Sequence, residues 1–322
     1  MIAASGALLT PPVWAQARVP KLGILNPHPK APSTADDPVV TGLRRHGWKP
    51  GETLIIDRPD GGGREDRLPE LARQLVAKKV DVIWALGSEA AVAAARTTDS
   101  IPIVFWGAAY PVEQGLVDSY ARPGRNVTGI TWSAEPEVDA KRLEMLRQLA
   151  PGKKRLASLS APTAIHTIKG NRAEVHPVIP AAAGALGYEL RAFPIKGADE
   201  LAPAFAAILA WGAQALTVTP STITVRERAR IVEFANLNRL PSAYALRDFV
   251  EAGGLVSYAI DWRPTMARSM AYVDRILRGA KPAELPVEQP SSYETWINLK
   301  TAKLLGLAVP QSLLLRADRV IE

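Results

Sequence analysis

Small, hydroxyl-bearing and aromatic residues recur in short groups along the chain, each directly after an apolar run that is predicted to be a β-strand. Small residues let backbone N–H groups approach a bound molecule, while tryptophan and tyrosine supply flat apolar walls with a polar edge. Such groups are typical of binding a small organic ligand. The candidate ligand-binding residues are Asn26, Gly87, Ser88, Glu89, Trp106, Tyr110, Ser160, Thr163, Thr219, Tyr244, Tyr258 and Asp261.

Gly87 and Ser88 are the best candidates for holding an anion. They open an alanine-rich helix, and the free N–H groups at a helix N-terminus suit a carboxylate. Ser88 also suits a simple capping role, and the two interpretations are compatible.

The other candidates have structural alternatives. Tyr110 faces the ligand or packs on the rim, and with Pro111 it is predicted to open a helix through residue 121. Trp106 and Trp262 line the ligand or pack the lobes together. Tyr258 is a ligand contact or a core residue, and Asp261 is a ligand contact or a helix cap.

No group of residues typical of catalysis or metal binding stands out. Cysteine is absent, which excludes disulfides, thiolate nucleophiles and cysteine-ligated metals. Neither a Gly-x-Ser-x-Gly elbow nor a P-loop occurs, and residues 61–63, a triple glycine, indicate a plain loop. Asp248 and Glu251 indicate a solvated helix face. The four histidines are scattered, at His28, His46, His166 and His176.

The sequence therefore predicts no catalytic residue, no metal and no cofactor, with an α/β hydrolase or racemase as the minor alternative. Net charge adds little: 39 Lys+Arg against 32 Asp+Glu give +7. This excess favours an anionic ligand or a membrane surface, or it reflects charges spread over solvated helices. No basic cluster of nucleic-acid type appears, so no nucleic-acid partner is predicted.

Repeated β/α alternation from Lys21 onward must position these groups. It predicts parallel sheets with helices on both faces, whose ligands bind at the carboxyl ends of the strands. A chain of 322 residues is long for one core and suits two lobes. The predicted strands are 21–25, 54–56, 80–86, 101–106, 155–159, 189–193, 215–218, 242–245, 255–258 and 295–299.

Residues 1–17 have the character of a removable export signal. Residues 2–9 are apolar, and Ala15-Gln16-Ala17 forms a cleavage pattern. The usual positive start is missing, so the signal is truncated or begins upstream; the alternative is an apolar leader on a cytosolic protein. No later stretch reaches the roughly 18 apolar residues of a membrane helix. Because cysteine is absent, we expect a periplasmic, soluble protein without a lipid anchor.

Ordered motifs cover nearly the whole chain after this segment: residues 101–105, 111–112, 115–117, 121–129, 240–241, 248–254, 272–282, 285–290, 297–303 and 317–318. Together they resemble the ABC-transporter substrate-binding protein family that includes tryptophan and tyrosine receptors. The resemblance implies an α/β, type I periplasmic-binding fold: two Rossmann-like lobes with parallel sheets, joined by three crossovers. It also implies a monomer that hands a small organic ligand to an inner-membrane ABC permease.

The resemblance further implies where the lobes begin and end. Lobe 1 is expected at residues 18–129 plus 261–290, and lobe 2 at residues 130–260 plus 291–322. The crossovers are expected near residues 128–135, 258–263 and 290–294.

The chain departs from the family where that family usually reads Gly-Asp-Pro-Val. Here the sequence is Ala109-Tyr110-Pro111-Val112, so the acidic group that could meet a ligand ammonium is absent at that point. The fold carries over, but amino-acid specificity does not. Tyr110, Trp106 and Trp262 predict an aromatic or otherwise flat ligand, with or without a carboxylate. A sensory module of the same fold is the alternative function.

Overall fold

A computed structural model describes residues 18–29, 37–132, 136–160, 166–169, 172–175, 178–290 and 292–322. The expected export signal, residues 1–17, and the candidate residue Thr163 lie outside the described residues. Among the helices described, none combines the length and the apolar character needed to cross a membrane.

The first lobe is built on five parallel strands: β1 Lys21–Leu25, β2 Ile55–Asp57, β3 Val82–Leu86, β4 Ile103–Ala108 and β5 Val127–Thr131. Their order in the sheet is β2-β1-β3-β4-β5. Strands β4 and β5 are buried along their whole length, as expected of a parallel sheet covered on both faces. The helices between the strands are α1 Pro38–Arg45, α2 Leu68–Ala77 and α3 Gly87–Thr97.

Helix periodicity explains how the first sheet is covered. In α2, Leu68, Leu71 and Leu75 form one buried stripe that packs beside α3 on one face of the sheet. The opposite face is covered by α1 together with α10, Trp262–Leu277. The absence of a side chain at Gly42 lets these two helices pack closely. A Cβ at this position would stand only 2.6 Å from Cγ of Met270.

The second lobe is built on the remaining strands: β6 Arg155–Ser160, β7 His166–Lys169, β8 Arg172–Val175, β9 Glu189–Pro194, β10 Ala215–Val218, β11 Ser242–Tyr244, β12 Val256–Ala259, β13 Glu294–Asn298 and β14 Arg319–Ile321. Strands β7 and β8 pair as a separate two-stranded antiparallel sheet. The others form a seven-stranded sheet in the order β14-β13-β12-β11-β10-β6-β9, in which β12 and β13 are antiparallel.

Helices flank this second sheet. They are α4 Pro136–Leu149, α5 Val178–Ala185, α6 Leu201–Ala210, α7 Thr222–Arg226, α8 Arg228–Leu237, α9 Arg247–Glu251, α11 Leu299–Leu304 and α12 Gln311–Leu314. Short 3₁₀ turns occur at Glu65–Arg67, Ala198–Glu200 and Pro282–Glu284. The core on one face of the sheet includes side chains from α6, α8 and α9, and the core on the other face includes side chains from α4 and α5.

The chain passes between the lobes after Thr131, after Ala259 and between Glu288 and Glu294. The middle passage sends α10 back to the first lobe, and the backbone N–H of Thr131 donates to the carbonyl of Glu288 at 3.0 Å. The predicted α/β fold with two lobes and parallel sheets is confirmed. The residue-by-residue limits of the lobes stay a prediction.

The helix predicted to open at Tyr110 and Pro111 is wrong, because the segment forms successive turns. Its apolar residues are spaced as in a helix, and the Leu116 N–H does reach back to the Pro111 carbonyl at 2.9 Å. Gly115 then adopts φ +68°, a left-handed conformation that ends the coil after a single turn.

Candidate ligand-binding site

A cavity of about 280 Å³ lies between the lobes. The first lobe contributes the ends of β3 and β4, and the second lobe contributes the segments that follow β10 and β11. Because the carboxyl ends of parallel strands open toward the same side, both sheets direct their strand-end loops into one space. The cavity therefore occupies the position at which this kind of fold binds ligands.

Three indole rings form the apolar wall of the cavity. Trp106 meets Trp132 edge to face at a centroid distance of 5.3 Å and Trp262 at 6.0 Å. Its ring is fixed because Nε1 donates to Oγ1 of Thr265, on α10, at 3.1 Å. Trp132 and Trp262 pack against the hydrophobic cores of both lobes. The wall thus rests on both lobes at once.

Gly107 makes room for this wall. It adopts φ +85°, and a Cβ placed there would stand 2.4 Å from Cε2 of Trp132. The indole of Trp132 therefore lies directly on the glycine backbone. Its Nε1 is buried and has no hydrogen-bond partner among the described residues.

Three polar side chains, those of Tyr110, Asp139 and Arg142, connect the two lobes opposite the indole wall. The Tyr110 hydroxyl donates to Oδ2 of Asp139 at 2.8 Å, and Arg142 forms an ion pair with Oδ1 of the same carboxylate. Arg142 also donates through Nη2 to the Tyr258 carbonyl at 3.2 Å. Asp139 and Arg142 lie one turn apart on α4, so the same face of that helix presents both.

A second carboxylate enters the cavity from α9. Oδ2 of Asp248 accepts a hydrogen bond from Nε1 of Trp262 at 3.2 Å. The prediction that Asp248 indicates a solvated face is wrong, because the side chain is half-buried and lines the cavity. Helix α9 turns this residue inward when it buries Phe249 and Val250 in the core.

The N-terminus of α3 is arranged differently from the predicted cap. Leu86 is the N-cap residue and makes no side-chain cap, whereas Oγ of Ser88 accepts the Ala109 N–H at 3.0 Å. The capping role assigned to Ser88 is therefore wrong; Ser88 instead ties α3 to the end of β4. The Glu89 carboxylate folds back toward the helix start, where Oε2 lies 3.2 Å from a Cβ built on Gly87.

The lobes also touch at the rim of the cavity. The Thr222 hydroxyl of the second lobe donates to Oε1 of Glu65 of the first lobe at 2.6 Å. Burial, followed by the negative charge of Glu89, raises the pKa of Glu65 to about 8. Beside it, burial and then the charge of Arg226 lower the pKa of His28, so this cavity-lining imidazole is neutral near pH 7.

Six of the twelve predicted ligand-binding residues line the cavity: Gly87, Ser88, Glu89, Trp106, Tyr110 and Thr219. Thr163 lies outside the described residues, and the remaining five do not line it. Oδ1 of Asn26 accepts the His28 N–H and shapes its own loop, while Ser160 is fully buried at the end of β6.

The other three are engaged elsewhere. Tyr244 is fully buried and stacks on Phe249 at a centroid distance of 4.8 Å. Tyr258 stacks on Tyr293, which does line the cavity. Asp261 accepts a hydrogen bond from Nη2 of Arg247 at 3.1 Å.

The sequence prediction missed Trp132, Asp139, Arg142 and Tyr293. Trp132 could have been predicted, because it directly follows β5 and ligands bind at the carboxyl ends of parallel strands. Asp139 and Arg142 carried no comparable signal: they lie inside a helix, at a spacing that equally describes a surface ion pair.

Two α/β lobes that enclose one cavity at their strand ends define a two-lobed binding protein of the type I periplasmic class. Within that class, a family model described as ABC transporter substrate binding protein matches residues 28–321. The chain belongs to this family.

Individual relatives agree with this assignment. The tyrosine-binding protein of Clostridioides difficile (strain R20291) is 26% identical over 268 residues, which is 83% of this chain and 75% of that protein. The ABC domain from Streptococcus pneumoniae in complex with L-Trp is 25% identical, with a TM-score of 0.78 over 94% of this chain and 99% of that one. A conserved domain protein of Vibrio cholerae has the same fold, with 24% identity and a TM-score of 0.80 over 94% and 100% of the two chains.

Proposed function

We propose that the protein captures a small organic ligand between its lobes and delivers it to the permease of an ABC importer. The observation that carries the proposal is the pair of hydrogen bonds that join cavity-lining residues, Tyr110 to Asp139 and Trp262 to Asp248. A ligand in this cavity contacts both lobes, so its binding energy favours the closed arrangement over an open one. No bond is made or broken.

The ligand has an aromatic or otherwise flat apolar body. The indoles of Trp106, Trp132 and Trp262 supply the walls, and few polar groups supply the orientation. The L-Trp bound to the Streptococcus relative and the tyrosine in the name of the Clostridioides relative support an aromatic body.

Arg247 supports a hinge at the crossovers. Its guanidinium donates to Asp261, just before α10, and to Oε2 of Glu294, at the start of β13, at 3.1 and 3.2 Å. This one buried side chain thereby holds the second and third passages together. We propose that the lobes, residues 18–129 plus 261–290 and residues 130–260 plus 291–322, rotate about these passages.

Delivery places the protein outside the inner membrane, as an exported monomer. The expected export signal at residues 1–17 supports this location, and membership of the substrate-binding family supports the permease as partner.

The proposal is tested by native mass spectrometry of protein purified from its own periplasm, combined with small-angle scattering of apo and ligand-loaded protein. We expect one bound small molecule per chain and a smaller radius of gyration when it is present. A scattering curve that a saturating ligand leaves unchanged would contradict closure. Ligand-dependent stimulation of the cognate transporter ATPase in proteoliposomes separates delivery from sensing, and its absence would contradict delivery.

A further inference from the structure

The charged residues that line the cavity are not balanced. Two carboxylates, Asp139 and Asp248, face one guanidinium, that of Arg142. The imidazole of His28 adds no charge near pH 7, because burial and Arg226 lower its pKa. Because Arg142 pairs with Asp139, Asp248 is left without a cation within ion-pair distance among the described residues, and enclosing such a charge is costly unless an opposite charge accompanies it.

Arg142 does not compensate for the charge of Asp248. It pairs with Asp139 and donates to the Tyr258 carbonyl, and its side chain is only 8% exposed. A ligand carboxylate would have to compete with Asp139 for this guanidinium. The Nε–H of Arg142, which is buried and without a partner among the described residues, is available to an uncharged acceptor such as an amide carbonyl.

The helix N-terminus at Gly87 does not suit a ligand carboxylate either. The carboxylate of Glu89 folds back over Gly87, and the hydroxyl of Ser88 is bonded to the Ala109 N–H. A second carboxylate at this place would meet a like charge at close range. The dipole of α3, which favours an anion at its N-terminus, therefore already faces the Glu89 carboxylate.

Asp248 has the opposite character. Its hydrogen-bond donor in the structure is the Trp262 indole, at Oδ2, and within the described part of the chain no cation lies within ion-pair distance of it. The ring of Trp262 stands beside the carboxylate, and Trp106 and Trp132 continue the wall. Indole faces attract cations, and a neighbouring carboxylate adds to that attraction.

We propose that the ligand carries a net positive charge, as an organic amine on an aromatic or flat apolar body, and that Asp248 is its counter-charge. The inference rests on the proposed function and narrows its substrate class. It selects amines, amino amides and similar cations over zwitterionic amino acids and carboxylates. Desolvation of the Asp248 carboxylate then opposes closure of the empty protein, and the ligand's cation removes that penalty.

The test is a calorimetric titration at pH 6.5 with probes that share one indole body and differ in charge. They are L-tryptophanamide and tryptamine, which are cations, the zwitterion L-tryptophan, the anion N-acetyl-L-tryptophan and the neutral alcohol tryptophol. We expect a cation to bind at least tenfold more tightly than L-tryptophan, and the anion to bind most weakly.

Asp248→Asn should weaken binding of the cation at least tenfold and leave tryptophol within about twofold. Glu251→Gln, an exposed carboxylate on the same helix, is the matched control and should change neither. Tyramine and L-tyrosine repeat the comparison on a phenol body.

The inference is overturned if L-tryptophan or N-acetyl-L-tryptophan binds as tightly as the cations, or if Asp248→Asn weakens cation and alcohol equally. It is also overturned if no cationic probe binds on either body. The proposed function is judged separately: it stands if any small molecule co-purifies with the protein and closes it, and it fails if none does.

Discussion

The hydroxyl of Tyr110, in the first lobe, donates a 2.8 Å hydrogen bond to the carboxylate of Asp139, on a helix of the second lobe. Tyr110 reaches it from a left-handed backbone conformation, φ +48°, which costs of order 1–3 kcal/mol for a residue with a side chain. Strain of this kind persists where the surroundings fix it. Here the ring lines the cavity and its hydroxyl ends on a carboxylate held by Arg142.

Tyr110→Phe removes this hydrogen bond and keeps the ring. Hydrogen bonds to charged groups contribute about 1.5–3 kcal/mol, so we expect ligand affinity to fall about tenfold. Calorimetric titration with the ligand that native mass spectrometry identifies measures the change. Tyr272→Phe is the control, because that hydroxyl donates to the Pro286 carbonyl within the first lobe. Equal affinities of the two variants would contradict a role for Tyr110 in closure.

Ligand affinity should depend on pH through Glu65. In the structure this carboxyl is buried against Thr222, where burial and Glu89 raise its pKa to about 8; the proposed opening of the lobes would return it to solvent, where its pKa is ordinarily 4.5. The closed form therefore binds more protons between about pH 4.5 and 8. The extra stability that protonated Glu65 gives to the closed form is complete below pH 4.5 and is lost as the pH rises toward 8.

Titrations from pH 7 to 8, above the range in which the buried His28 titrates, should accordingly show affinity that falls with pH in the native protein. Glu65→Gln keeps the shape and an acceptor for Thr222 but carries no charge, so its profile should be flatter and its affinity at pH 8 higher. Glu70→Gln, an exposed position on α2, is the control. An unchanged slope in Glu65→Gln would refute the assignment.

Gly107→Ala should destabilise the protein through Trp132. The new Cβ meets the indole at 2.4 Å, and overpacking of this kind costs about 1–3 kcal/mol in addition to backbone strain. Gly47→Ala isolates the strain, because Gly47 has the same φ of +85° and no atom within 4 Å of the added carbon. Urea unfolding should show the larger loss for Gly107→Ala, with a shifted tryptophan emission. Equal losses would mean that Trp132 moves aside freely.

Arg142→Met leaves the Asp139 carboxylate without its cation. Breaking a fully buried ion pair costs roughly 3–5 kcal/mol; because Asp139 remains 15% exposed, we expect about 2–3 kcal/mol of unfolding free energy. Adding Asp139→Asn should restore most of it. Lys141→Met breaks the neighbouring exposed pair with Glu144 and should cost well under 1 kcal/mol. A double variant as unstable as the single one would disprove the pairing.

Sequence pattern predicted the sheets well because burial on both faces leaves continuous apolar runs, as in β3 and β4. It also placed Gly87, Trp106 and Thr219 at strand ends, and the cavity forms there. Tyr244 and Tyr258 follow the same rule but lie outside the cavity, because the rule gives the edge of the sheet and not the direction of a side chain.

The sequence pattern could not predict the polar residues of the cavity. Asp139, Arg142 and Asp248 lie on helices, and only the meeting of two lobes distinguishes them from surface charges. The helix predicted after Tyr110 is wrong for a related reason: the spacing of its apolar residues is helical, but the left-handed conformation of Gly115 ends the coil.

Closure itself is measured most directly by a distance across the rim. The chain contains no cysteine, so Glu70→Cys on α2 and Ala229→Cys on α8 can carry spin labels at two exposed sites on opposite lobes. Glu70→Cys with Glu52→Cys, both in the first lobe, is the control pair. Distances between the spin labels are measured by pulsed electron paramagnetic resonance. One sample contains no ligand, and the others contain the co-purified ligand, L-tryptophan or tryptamine.

At least one of these ligands should shorten the distance between lobes and narrow its distribution, while the control distance stays constant. A distance between lobes that is the same with and without the co-purified ligand would contradict the account.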